Sequence, residues 1–117
     1  MLLTYNAPGG KAIWAAMSEA ERVAEETEYR DLIQAMREER ILLAAEEVEH
    51  YDSARTVRLR EGTLSVSDGP AVDGGEFLTG YFLIEVESFD VAIDWAARIP
   101  TARTGSVEVR PVMDIDW

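Results

Sequence analysis

The sequence predicts a mixed α+β domain: a ferredoxin-like antiparallel sheet with helices on one face. Three observations lead there. The elements run strand, helix, β-rich middle, helix, strand, so two β-α-β halves are joined through a hairpin. A long helix opens on a capping signal at Ser18. One strand, Phe77 to Val86, is apolar on both of its faces, so both must be covered.

Leu2 to Tyr5 reads as the first strand, and Asn6 to Gly10, with Pro8 and paired glycines, as a turn. Ile13, Trp14 and Met17 have the spacing of a short helix over Lys11 to Met17. Ser18 with Glu21 three residues later is a capping box, which satisfies two backbone N–H groups at the helix start. Tyr29, Leu32, Ile33 and Met36 form one apolar stripe, while the Glu-rich remainder reads as a solvated face.

Ile41 to Ala45 is too short for another helix and reads as a strand buried on both faces. Arg55 to Arg60 and Thr63 to Ser67 alternate around Glu61-Gly62. This predicts a two-residue hairpin loop, with Leu59 opposite Leu64, Val57 opposite Val66, and those four side chains turned inward. Asp68 to Glu76 is a loop. Along the next strand Phe82, Ile84 and Val86 face one way and Tyr81 and Leu83 the other. Ser88 caps a second helix, with Phe89, Ala92, Ile93, Ala96 and Ile99 inward and Pro100 as its end. Ser106 to Met113 is the last strand, with Val107, Val109 and Met113 on one face and Pro111 marking a sheet edge or the strand's end. If helices cover one sheet face, the simplest cover for Tyr81 and Leu83 is a second copy of the chain, so a homodimer is expected.

The 117 residues have the size of one domain, read here as spanning 1–117, and 47% hydrophobic with 29% charged residues is a globular balance. The formal net charge of -12 opposes nucleic-acid phosphates and anionic membranes, so neither is expected as a partner. The absence of cysteine excludes disulfides and thiolate chemistry. No apolar run approaches the roughly 20 residues of a membrane helix, and Met1 to Asn6 lacks the pattern of a signal peptide. A cytoplasmic protein is the expectation.

Several short motifs, taken in order, point to a family. They are Ser65-Val66-Ser67-Asp68-Gly69-Pro70, Gly80-Tyr81-Phe82-Leu83-Ile84-Glu85, Trp95-Ala96-Ala97-Arg98-Ile99-Pro100 and Gly105-Ser106-Val107-Glu108-Val109-Arg110-Pro111-Val112. Trp14 before the capping box and Ala45-Glu46-Glu47 belong to the same set. With them the chain resembles the YCII-related proteins, in the branch marked by an Asp-Gly-Pro-Phe motif. The resemblance implies a ferredoxin-like protomer in a dimeric α+β barrel, and no settled activity. It also implies genomic neighbourhood with alternative sigma factors. Position 71 is Ala where the motif has Phe, which enlarges or empties a pocket wall. A related branch is thought to use a His–Asp pair. The main helix here has no histidine, so that pair is not carried over.

The candidate site residues follow from strand ends and alternation. Asp68 ends a strand and is read either as an Asx turn or as a catalytic carboxylate at a cavity mouth. Alternation turns one of Glu46 and Glu47 inward, and a buried carboxylate needs a partner or a function. Arg58 or Arg110 is the structural partner, and a two-carboxylate site with Asp68 is the functional alternative. Tyr5, Trp14 and Tyr81 line a pocket for a flat ligand or simply fill the core. His50, the only histidine, reads as a solvated loop residue, and no metal or other cofactor is expected. Two functions therefore stand side by side. One is a small-molecule-binding protein or enzyme, with Asp68 and Glu46 in a cavity near a dimer interface. The other is a non-catalytic regulatory or interaction module.

Overall fold

The computed structural model describes residues 1–117. Strand β1 is Leu2–Asn6, followed by helix α1, Gly10–Ala16, and the long helix α2, Glu19–Glu38. Strand β2 is Leu42–Glu47, and a single 3-10 turn at Tyr51–Ser53 leads into β3, Arg55–Arg60, and β4, Thr63–Asp68. Strand β5 is Phe77–Ile84. Helices α3, Phe89–Ala97, and α4, Thr101–Thr104, then precede β6, Ser106–Val109.

Four strands form one antiparallel sheet in the order β2-β5-β1-β6, and β3 with β4 forms a separate two-stranded sheet. The closed dimeric α+β barrel expected from the resemblance is therefore corrected. The fold is a mixed α+β arrangement of two sheets and helices. Closure would need every strand paired on both sides. Here β2 and β6 are edges and the hairpin pairs with neither.

The core lies on one face of the larger sheet. Leu2, cross-strand from both Phe82 and Val109, packs with Leu32 and Met36 of α2 and with Trp95, Ala96 and Ile99 from the α3 region. Leu2, Met36 and Ile99 are fully enclosed. Each such side chain contributes about 1.5–3 kcal/mol of transfer free energy.

Helix α2 starts as expected: the Ser18 hydroxyl accepts from the Glu21 N–H, and the Glu21 carboxylate accepts from the Ser18 N–H. Its end carries no glycine. Arg40 takes the left-handed conformation at φ 60°, and the Ile41 N–H donates to the Met36 carbonyl while Arg40 donates to Arg37. That is a Schellman stop built on an arginine. At 1.5 Å per residue the helix is about 30 Å long, whereas a five-residue strand such as β1 spans about 17 Å. Its first half thus overhangs the sheet, and Val23 stays exposed. Helix α1 buries no residue, and Ile13 and Trp14 remain open.

Other expectations shift for tertiary reasons. Strand β2 is an edge strand and Leu43 is exposed, so the strand is not buried on both faces. In α3 the buried stripe is Ala92, Trp95 and Ala96, continuing to Ile99, while Phe89 and Ile93 are exposed. Helix α3 stops at Ala97 with Arg98 as its C-cap, short of Pro100, and Pro100 instead begins α4, a short helix that no local pattern announces. Strand β6 stops at Val109, which leaves Met113 outside the sheet.

Helices α2 and α4 are tied by Tyr29, whose hydroxyl hydrogen-bonds the buried Thr101 hydroxyl, and by Arg103 Nη2 donating to Glu28 Oε2 at 2.6 Å. Burial raises the Tyr29 phenol above its ordinary value of 10.0, partly offset by the bond to Thr101. A raised folded-state pKa contributes stability that is complete below the unfolded pKa and is lost as pH rises through the folded value. Tyr29→Phe should cost about 1 kcal/mol at neutral pH, because the Thr101 hydroxyl loses its partner. It should also flatten the fall in denaturation midpoint above about pH 10, where the wild-type phenol titrates. An equally steep alkaline loss in the variant would remove Tyr29 as its source.

Candidate functional site

The sheet face opposite the core has no helix over it. Alternation from the buried Phe82 and Leu2 places Tyr81, Leu83, Leu3 and Tyr5 there. Pairing extends that face sideways. Tyr81 is cross-strand from Glu46 of β2, Leu3 from Glu108 of β6, and Tyr5 from Ser106. Three of the five expected site residues, Tyr5, Tyr81 and Glu46, therefore lie on one surface.

Toward the β6 edge this surface sinks into an open depression of about 330 Å³ bordered by Tyr5, Glu76, Ser106, Val107 and Glu108. The Ser106 hydroxyl donates to Glu76 Oε2 at 3.0 Å. Arg110 Nη2 lies 2.6 Å from Glu108 Oε2, which is shielded from water; the contact is an ion pair without hydrogen-bond geometry. Arg110 thus pairs with Glu108 and not with Glu46. Glu46 forms no ion pair with Arg58 either, and its side chain is open to solvent.

Glu76 and Glu108 are not among the expected site residues. The signal for Glu108 is the alternation itself: with Val107 and Val109 facing the core, a glutamate between them must face the other way. Glu76 is positioned by the return of the chain into β5 and carries no local signal.

The remaining two expected site residues lie elsewhere. Trp14 sits on α1, with the Arg22 guanidinium 5.5 Å from its ring centre and Arg22 Nε donating to the Trp14 carbonyl at 2.9 Å. Asp68 closes the hairpin's base, cross-strand from Arg55, whose Nε is 3.8 Å away. Its side chain is 95% exposed, and no hydrogen bond or salt bridge joins it to Glu46. It does not cap the turn that follows. That turn is held by the Gly69 N–H donating to the Ala54 carbonyl and by the Thr56 hydroxyl donating to the Gly69 carbonyl.

His50 is better anchored than a solvated loop residue. Its Nδ1 is 2.9 Å from Asp52 Oδ1, and Lys11 Nζ is 3.1 Å from Asp52 Oδ2. The His50 hydrogen bond, then that of Lys11, holds the Asp52 carboxyl below its ordinary value. The neighbouring Tyr51 ring stacks on Phe77 at 3.9 Å, which fixes the root of the hairpin to the main sheet.

No helix is long and apolar enough to cross a membrane. A curated relative, an uncharacterized protein of Rhizobium meliloti (strain 1021), is 42% identical over 62 residues, covering 51% of this chain. That match spans about half the length of the relative. The family model described as the YCII-related domain matches residues 1–116, nearly the whole chain, and so the chain belongs to the YCII-related family.

Proposed function

We propose that this is a small-molecule-binding domain whose ligand lies on the open sheet face, between Tyr81 and Glu46 on one side and the Tyr5–Glu108 depression on the other. The observation carrying this reading is the placement of two tyrosines and three carboxylates, Glu46, Glu76 and Glu108, on or beside one uncovered face. Phenol rings present flat apolar area and attract cations through their faces. Arg110 neutralises Glu108, which leaves Glu46 and Glu76 to supply negative charge. The ligand class is a small organic cation with a flat apolar body. Carboxylates and phenol faces are the groups that hold a flat cation, so the reading is binding. The exposure of Asp68 gives it no desolvated setting for acid–base work, and the site rests on Glu46 instead.

Only 13 of the 117 residues are buried, which supports self-association of the chain as part of the same reading. The interaction-module reading also has an observation behind it, the uncovered apolar face of the β3–β4 hairpin.

Calorimetric titration with tyramine and with 4-hydroxyphenylacetate, which share a ring and differ in charge, tests the ligand class. Tyramine should bind at least tenfold more tightly, and Glu46→Gln should weaken it about tenfold, the size of one charge-assisted hydrogen bond. Equal binding of the acid, or no effect of Glu46→Gln, would refute the site.

A further inference from the structure

The β3–β4 hairpin has the predicted register and none of the predicted burial. Glu61 at φ 50° and Gly62 at φ 79° make the two-residue turn with both central residues left-handed, which matches strand twist. Val57 pairs with Val66 and Leu59 with Leu64, yet all four are more than half exposed. A two-stranded hairpin alone in water is marginally stable at best. Both of its outer edges also present unpaired backbone groups, a template for another strand.

The segment after β6 has the complementary pattern. Met113, Ile115 and Trp117 alternate with Asp114 and Asp116, the period of a half-buried strand, but the segment is unpaired and Trp117 is fully exposed. Strand β3 is apolar on one side, at Val57 and Leu59, and basic on the other, at Arg58 and Arg60. Neither arginine has a salt-bridge partner. These two, with Arg55, make three of the chain's 11 lysines and arginines in one six-residue strand, on a chain of net charge -12.

The geometry points to strand addition between two copies: residues 112–117 of one chain pair with the outer edge of β3 of the other. With Ile115 opposite Leu59, Asp114 and Asp116 fall opposite Arg58 and Arg60 whichever way the added strand runs. The apolar side of the segment then continues the apolar side of the hairpin. Cross-strand charge pairs and main-chain hydrogen bonds act together in such an addition.

The occupant is a second copy because of where the two parts leave the sheet. Val109 pairs with Leu2, so β6 exits at the Leu2 end of β1. The hairpin leaves after Glu47 and returns at Phe77, which pairs with Asn6 at the opposite end. The segment begins on the β6 edge and the hairpin is rooted beside β2 and β5, toward the other edge. Reaching its own hairpin would require the segment to reverse and cross the sheet. A two-fold axis perpendicular to the strands exchanges the two ends of the sheet, which brings each chain's segment to the hairpin end of the other and closes the assembly.

The inference rests on the self-association proposed above, and the experiment separates the two. The chain has no cysteine, so Leu59→Cys and Ile115→Cys can be made singly and mixed under mild oxidation. The mixture should give a covalent dimer at least fivefold above either variant alone, with mass spectrometry locating the disulfide between positions 59 and 115. Arg58→Glu with Arg60→Glu should weaken the dimer about tenfold, and adding Asp114→Arg with Asp116→Arg should restore it, as expected for cross-strand charge pairs. A dimer by light scattering without the 59–115 link overturns the pairing alone. A monomer overturns both the pairing and the self-association. A 59–115 disulfide within one chain, formed by the double-cysteine variant at high dilution, shows that the segment reaches its own hairpin and overturns the second copy as occupant.

Discussion

Gly105→Ala is expected to lower stability by about 3 kcal/mol, the upper range for forcing extra volume into a packed position. A Cβ on Gly105 would lie 2.0 Å from the Tyr5 carbonyl oxygen and 2.5 Å from Asn6 Oδ1. The first of these is backbone and cannot rotate away. Gly105 also donates its N–H to the Thr101 carbonyl at 2.8 Å, and the next residue, Ser106, pairs with Tyr5. Relief of the clash must move either α4 or β6, and moving β6 opens the depression at Tyr5, Ser106 and Glu108. Tyramine binding should fall together with the urea midpoint. Gly74→Ala is the control, since its Cβ would meet only Val72 Cγ1 at 3.9 Å. If the two alanine variants unfold at the same urea concentration, the close approach of Gly105 to β1 is not present in solution.

Gly105 also shows which features the sequence makes legible. A capping box, a hairpin turn and strand alternation are encoded within a few residues, and Ser18–Glu21, Glu61-Gly62 and the faces of β5 read directly. Nothing local marks Gly105 as a place where another strand's carbonyl arrives. Burial is non-local in the same way. The apolar pairs of the hairpin look like core because alternation says which side they share, not whether anything lies against it. In α3, Phe89 and Ile93 are as apolar as the residues that become buried. The rotation of the helix against the sheet selects the 92, 95, 96, 99 stripe.

The candidate site divides along the same line. Tyr81, Glu46 and Tyr5 share a face because strand pairing in this order brings them there. Asp68 is their neighbour only if all strands join one sheet. The separate hairpin sheet breaks that condition and leaves Asp68 in solvent beside Arg55. The barrel expected from the family resemblance fails at the same point, since the hairpin does not extend the four-stranded sheet.

The largest loss is expected from Met36→Ala, about 3–4 kcal/mol, within the range for removing a long buried apolar side chain. Met36 is fully enclosed, packed with Leu2 and Ile99 where α2 crosses the core face. Its carbonyl also accepts the Ile41 N–H that stops the helix. Truncation leaves a void in a core whose fully enclosed large side chains number three, so little neighbouring bulk is free to relax into it. Against a total stability typical of such domains, on the order of 5–15 kcal/mol, that is a large fraction. Val23→Ala in the same helix should change stability by less than about 0.5 kcal/mol. Val23 lies on the overhanging first half, and alanine's higher helix propensity offsets what little packing the valine methyl groups provide. The contrast reads the geometry of α2 directly: one half is clamped to the sheet and the other projects beyond it. Urea unfolding of both variants, with the slope held at the wild-type value, is the measurement. Comparable losses at positions 23 and 36 would mean that the first half of α2 is covered in solution, and its covering surface would then have to come from another chain.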